Sequence, residues 1–199
     1  MTRRLLSGVT VVLLLLLSLV VLRLIIARTI VGKETNTPSN NIVVENWSGD
    51  KQFYDLAMAI YERRRQATIA SIIFESAYND TLRRREILDA AWDAGFDSTA
   101  LKLIRVPLRE PRTLNIAATV VDSAHAWNWK EITIITADLH AARSRKTYQI
   151  EAERFGITVF VQGVPYANVS SDNWYKSMKG IVTALQEIGK RVYYELSVF

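Results

Sequence analysis

EITIITADLHAARSRKTYQIEAERF, residues 131–155, decides the fold. Seven residues, EITIITA (131–137), form a β-branched apolar run. Two residues later LHAARSRKTYQIEAERF (139–155) takes up helical spacing, and Gly156 supplies a stop. A strand that turns straight into an amphipathic helix is one half of a βαβ unit.

The same unit repeats on both sides. Upstream, NIVVE (41–45) precedes a helical pattern at 51–66, IASIIFE (69–75) precedes one at 81–96, and LKLIRV (101–106) precedes one at 111–128. Pro111 suits the first helical position there. Downstream, ITVFVQ (157–162) is the last strand, and a long helix from about Asp172 to Leu196 closes the chain. Near-continuous apolar strands alternating with helices predict an α/β, Rossmann-like domain over 41–199. Its mainly parallel five-stranded sheet would carry helices on both faces. Trp92, Trp127 and Trp129 are expected to pack in the core or at its edge.

Residues 5–22, LLSGVTVVLLLLLSLVVL, hold no charge, and as a helix they would span ~27 Å, about the hydrocarbon thickness of a bilayer. Arg23 could snorkel to the interface. This predicts one N-terminal transmembrane helix, a signal anchor over 5–28, with 1–4 cytoplasmic and a linker over 29–40. A cleaved signal peptide and a buried helix are the alternatives. Flanking charges are nearly balanced, Arg3 and Arg4 against Arg23, Arg28 and Lys33, so charge alone does not orient the anchor.

The 199 residues carry 25 basic and 20 acidic groups, a net charge of +5. Four of the basic groups lie in residues 1–28, which hold no acid, so the remainder is close to neutral. A neutral domain lacks the concentrated basic face that nucleic acid requires, so nucleic acid is not an expected partner. The absence of cysteine excludes disulfides, Cys-ligated zinc, iron–sulfur clusters and a thiol nucleophile. With only His125 and His140, a multi-histidine metal site is excluded too. There is no G-x-G-x-x-G, P-loop or G-x-S-x-G, and the sequence specifies no cofactor.

Ligands of open α/β sheets bind beyond the strand carboxyl ends, so the residues there are the candidates. Thr136 ends one strand, and Asp138, His140 and Arg143 follow within seven positions. His140 and Arg143 are three apart and share a helix face near the positive end of its dipole, a corner suited to anions. Arg145 lies about 200° around the helix from Arg143, so it is the weaker member. Asp138 also reads as a helix N-cap, and His140 as a hydrogen-bonded rim histidine. Glu75 ends an apolar strand and could take a proton or hold a hydroxyl; the plainer reading pairs it with one of Arg83–Arg85. Arg112 and Thr113 occupy a first helical turn, either as anion contacts or simply solvated. Glu45 and Trp47 follow the first strand.

VVENW (43–47) followed by SGDKQFYDLA, then IIFES (72–76), PRTLNIA (111–117), ITADLHAARSRKTYQ (135–149) and WYKSMKGI (174–181) occur in an order that resembles the YdcF-like superfamily of SanA/ElyC-type envelope proteins. Glu45, Trp47, Arg112, Thr113, His140, Arg143 and Arg145 match its motif positions. The resemblance implies a single-pass protein of the bacterial inner membrane, its domain extracytoplasmic, associated with envelope or peptidoglycan upkeep. Asn46 replaces a family Gly, and Glu75-Ser76 replaces a Gly-rich loop, which restricts close backbone approach to a ligand.

Two functions follow. The leading one binds a phosphorylated or anionic envelope precursor, such as a lipid-linked sugar phosphate, near the membrane. If it is catalytic, His140 is acid/base, Arg143 and Arg112 hold the anion, and Glu75 or Asp138 is the carboxylate partner. The alternative is a non-catalytic scaffold or regulator of envelope machinery with a degenerate pocket. A nucleotide-dependent transferase rests on fold analogy alone.

Overall fold

The computed structural model describes residues 39–45, 49–64, 67–75, 80–97 and 100–197, without the side chains of 73–75 and 80. The expected anchor, nearly all of the linker, Trp47 and the Glu75 side chain therefore lie outside the described residues. Among the described residues no helix is long and apolar enough to cross a membrane.

Five strands form one sheet: β1 (Asn41–Val44), β2 (Thr68–Glu75), β3 (Leu101–Pro107), β4 (Glu131–Ala137) and β5 (Thr158–Val164). Every pairing is parallel, in the order β3-β2-β1-β4-β5. The strands read as unbroken apolar runs because both faces are covered. In β4, Ile132 through Thr136 are all buried. Its polar member Thr133 is accommodated because Oγ1 accepts the Ser39 N–H at 2.6 Å.

Helices α1 (Lys51–Arg64) and α2 (Asp80–Asp93) cover one face, where Phe53, Tyr54, Ile60 and Ile87 meet Ile42, Val44, Ile69 and Ile135. Helices α3 (Arg112–Ala126) and α4 (Ala141–Glu153) cover the other, where Ile116, Val120, Val121 and Tyr148 meet Val43, Ile132, Ile134 and Val161. Each fully buried large aliphatic contributes about 1.5–3 kcal/mol of transfer free energy, so two such layers hold the sheet from both sides. The polar end of Tyr54 is satisfied by Ser71 Oγ at 2.7 Å.

The chain departs from the sequence reading in four places. Pro111 precedes α3 as its extended N-cap residue and is not its first helical position. A 3-10 turn, Asp138–His140, intervenes between β4 and α4. The single closing helix expected from 172 is two pieces, a 3-10 turn Trp174–Lys176 and α5 (Met178–Ser197). Ser177 is extended between them, and its Oγ accepts the Gly180 N–H at 3.0 Å. Trp92 is a surface residue, 67% exposed, whereas Trp127 and Trp129 pack on the core as expected.

α5 covers neither sheet face. It sits beside the two 3-10 turns, held by a small cluster of Leu139, Val169, Trp174 and Ala184. Gly180 permits this closeness, since a Cβ there would lie 2.1 Å from the Trp174 carbonyl oxygen. The strand order reverses between β1 and β4, so the crevice of this doubly wound sheet opens beyond Glu45 and Ala137. α5 lies along that opening.

Candidate functional site

The site begins with the abrupt turn from β4 into α4. Three residues of 3-10 helix set His140 and Arg143 on consecutive turns over the crevice, both largely buried. Gly163 at the end of β5 lets this turn lie close, because a Cβ there would stand 2.8 Å from the Asp138 Cα. From the neighbouring α3, Thr113 turns inward, and Arg143 Nη1 donates to its Oγ1.

The partner that sequence reasoning missed is Glu187, on α5. Its Oε2 accepts from Arg143 Nε at 3.0 Å and its Oε1 from Arg143 Nη2 at 3.2 Å, a bidentate pair. His140 Nδ1 lies 3.2 Å from the same Oε2, and Lys190 Nζ donates to Oε1 at 2.9 Å. Burial by itself would raise the Glu187 pKa. The hydrogen bond and charge of His140 and the charge of Arg143 outweigh it and hold the carboxyl well below the usual range. The Tyr194 ring, 5.3 Å from the Arg143 guanidinium carbon, completes this side.

Arg143 Nη2 also lies 2.8 Å from His140 Nδ1. Nδ1 thus sits between a guanidinium, which can only donate, and the Glu187 carboxylate, which can only accept, so the tautomer of the ring sets which of the two it bonds. Nε2 faces the second carboxylate, Glu45, with Oε2 3.9 Å away. Glu45 is 1% exposed and follows directly on β1, where its N–H continues the ladder to Ile135 O at 2.8 Å. Its Oε2 accepts from Ser144 Oγ at 2.9 Å. Full burial, and then the Glu45 charge, push the adjacent Tyr148 phenol well above its ordinary pKa. An imidazole thus stands between two carboxylates, with an arginine on one side and neutral hydroxyls on the other. Such a row can hold an anion at Arg143 and pass a proton through His140.

The row borders a cleft of about 330 Å3 whose walls include Phe53, Leu139, Tyr166 and Val169, with Lys179 and Lys190 contributed by α5. That size suits a small organic anion. No group of side chains among the described residues has the makings of a metal site.

The expected site residues fall into three sets. Glu45, Thr113, His140 and Arg143 are brought together. Asp138 borders the cleft, but its side chain caps no helix; Oδ2 instead accepts the Ser171 N–H at 2.6 Å and ties down the loop after β5. Thr136 is buried at the end of β4, and its Oγ1 finds no hydrogen-bond partner among the described residues.

Arg112 and Arg145 do not join the cluster. Arg112 is on the surface, its Nε donating to Glu110 Oε1 at 2.7 Å, because the start of α3 directs Thr113 inward and its neighbour out. Arg145 points down the opposite side of α4 toward Val161 O at 3.4 Å, as its 200° offset requires. The backbone of Glu75 ends β2 beside Pro107. Arg83, a proposed partner for Glu75, pairs on the surface with Glu86 at 2.9 Å.

No protein-family model matches the chain, and no curated protein matches it.

Proposed function

We propose that this chain is a membrane-anchored protein of the bacterial cell envelope, allied to the YdcF-like proteins, whose cleft binds a phosphorylated or otherwise anionic ligand. The support for the location is the apolar leader at 5–22 and the order of the four resembling segments, with IIFES in the place of a Gly-rich fifth. One observation carries the support for the ligand: Arg143, 8% exposed at the mouth of the crevice, already holds a carboxylate in bidentate geometry. A place that depresses a carboxyl pKa so strongly favours negative charge, and a phosphate oxygen pair has the same fork geometry. Lys179 and Lys190 at the cleft add long-range attraction.

In this reading Glu187 is an internal stand-in for the ligand. The ligand displaces it from Arg143 while Thr113 keeps the guanidinium aimed. His140 then lies beside the bound anion, with Glu45 behind it to balance a proton. The second reading, a scaffold with a degenerate pocket, is favoured by that same Glu187, since a permanently held internal carboxylate needs no ligand.

Titration calorimetry of the full chain in detergent, against a polyprenyl phosphate, a hexose phosphate and inorganic phosphate, separates the two. The first reading expects binding that falls at least tenfold in Arg143→Ala with the melting transition retained. No binding by a folded wild-type chain to any of the three overturns it in favour of the scaffold.

A further inference from the structure

α5 carries apolar residues on two sides, one packed on the domain and one left outside. Its inner side holds Gly180, Ile181, Ala184, Glu187, Ile188 and Tyr194, residues that meet the domain. Its outer side exposes Met178, Val182, Leu185, Val192 and Leu196, with exposures running from 44% at Val182 to 81% at Leu196. With Gly189 these positions are spaced 4, 3, 4, 3 and 4, the heptad spacing of a helix-pairing seam. Together with Tyr193 the exposed side chains present roughly 700 Å2 per chain, above the ~300–600 Å2 largest patch of an ordinary monomer.

We propose that this seam pairs with the same seam of a second copy, the two helices running antiparallel about a two-fold axis near Glu187. The spacing is palindromic, so an antiparallel copy brings Met178 level with Leu196, Val182 with Val192, and Leu185 with Gly189. The last match selects the orientation. A Cβ on Gly189 would meet nothing within 4 Å, so the position is an open notch into which Leu185 of the other copy fits. A parallel pair would oppose the two notches and leave a void between them. Antiparallel packing also sets opposed helix dipoles side by side, and the two-fold closes the assembly at two copies. Complete burial of both seams would remove at most about 1,400 Å2, which reaches the ~1,200–2,000 Å2 range of stable specific complexes only if the seam engages along its whole length. An anionic bilayer is the weaker occupant, because Lys179 and Lys190 face the cleft and do not ring the seam.

The chain has no cysteine, so introduced thiols report unambiguously. Full-length Met178→Cys and Leu196→Cys chains, co-expressed and treated in detergent with a bismaleimide spanning ~10 Å, should cross-link to each other. Neither should link to itself, since like ends of an antiparallel pair lie ~27 Å apart. Sedimentation equilibrium should show a dimer whose dissociation constant rises at least tenfold in Leu185→Glu. Self-linking of either single variant, a monomeric wild type, or a dimer indifferent to Leu185→Glu overturns the proposal. A monomer that binds anionic vesicles through this face overturns it in favour of lipid. Should Leu185→Glu unfold the chain, the cross-linking map alone decides.

Discussion

Glu187→Gln tests the anion site most directly, because the substitution keeps the shape and removes the charge. The carboxylate is 11% exposed and makes two hydrogen bonds to Arg143, with His140 and Lys190 also in reach. The amide can keep one acceptor but leaves Arg143 buried without its counter-charge. Breaking one partner of a buried pair costs about 3–5 kcal/mol, and the retained acceptor returns part of that, so a loss of about 2–4 kcal/mol is expected. For a domain of this size that is a fall in Tm of roughly 5–12 °C, within the stability of an ordinary domain. The pH dependence has a definite sign. The folded pKa of Glu187 is depressed. Its contribution is therefore full above the unfolded carboxylate value of ~4.3 and is lost as pH falls through the folded value. The gap between wild type and variant should be widest near neutrality and close in acid. Inorganic phosphate should then substitute for the missing charge. At 100 mM, with a dissociation constant of ~1 mM, it restores about 2.7 kcal/mol to the variant, while wild type, whose site is filled by Glu187, gains less. Thermal melts of both full-length chains in detergent, with phosphate or with chloride at matched ionic strength, give the answer. A variant that melts with wild type at neutral pH refutes the energetic account. One that melts early but is indifferent to phosphate refutes the anion site.

Two further substitutions probe the same geometry from outside. Arg112→Ala should change stability by less than about 0.5 kcal/mol and leave phosphate binding within twofold, because its ion pair with Glu110 is solvent-exposed; a tenfold loss in calorimetry would restore Arg112 to the site. Gly163→Ala should destabilise by about 1–3 kcal/mol in denaturant titration, since the new Cβ meets the Asp138 backbone and Oδ1, and an unchanged midpoint would contradict the close approach of β5 to the turn.

The fold was legible because its signals are local and redundant. Each apolar run was long enough to be a doubly buried strand, each helix carried its own period, and the alternation of the two left a parallel sheet as the consistent arrangement. The errors sit where a side chain or a tertiary contact redirected the backbone, as at Ser177, whose hydroxyl starts α5 afresh. Half of the site was legible for the same reason. His140 and Arg143 are three residues apart, on consecutive turns of the 3-10 segment and α4, and Glu45 and Thr113 each sit at an element end that the topology brings to the crevice. Arg112 shows the limit of that logic. Neighbouring residues of a first turn project in different directions, and only packing tells which one faces in.

Glu187 lay beyond sequence reasoning for a deeper reason. It is 44 residues from Arg143, in a helix whose period marks an apolar side. The usual inference turns that side toward the core and leaves the glutamate in water. Here the inference holds for only part of the apolar surface: Ile181, Ala184 and Ile188 pack inward, while Leu185 and Val192 stay outside. The crevice presents a buried cation, an imidazole and a threonine, and a helix that covered them with Leu185 and Val192 would strand those polar groups without partners. Satisfying them requires Glu187 to face inward, beside the packed Ile181, Ala184 and Ile188. Gly180 and Ala184, set between the packed Ile181 and Ile188, let the backbone come close enough for Glu187 to reach. The cost appears on the other side, as an apolar seam in solvent. The buried ion pair and the exposed seam are thus two consequences of one orientation, fixed by the chemistry of the site together with the packing of Ile181, Ala184 and Ile188.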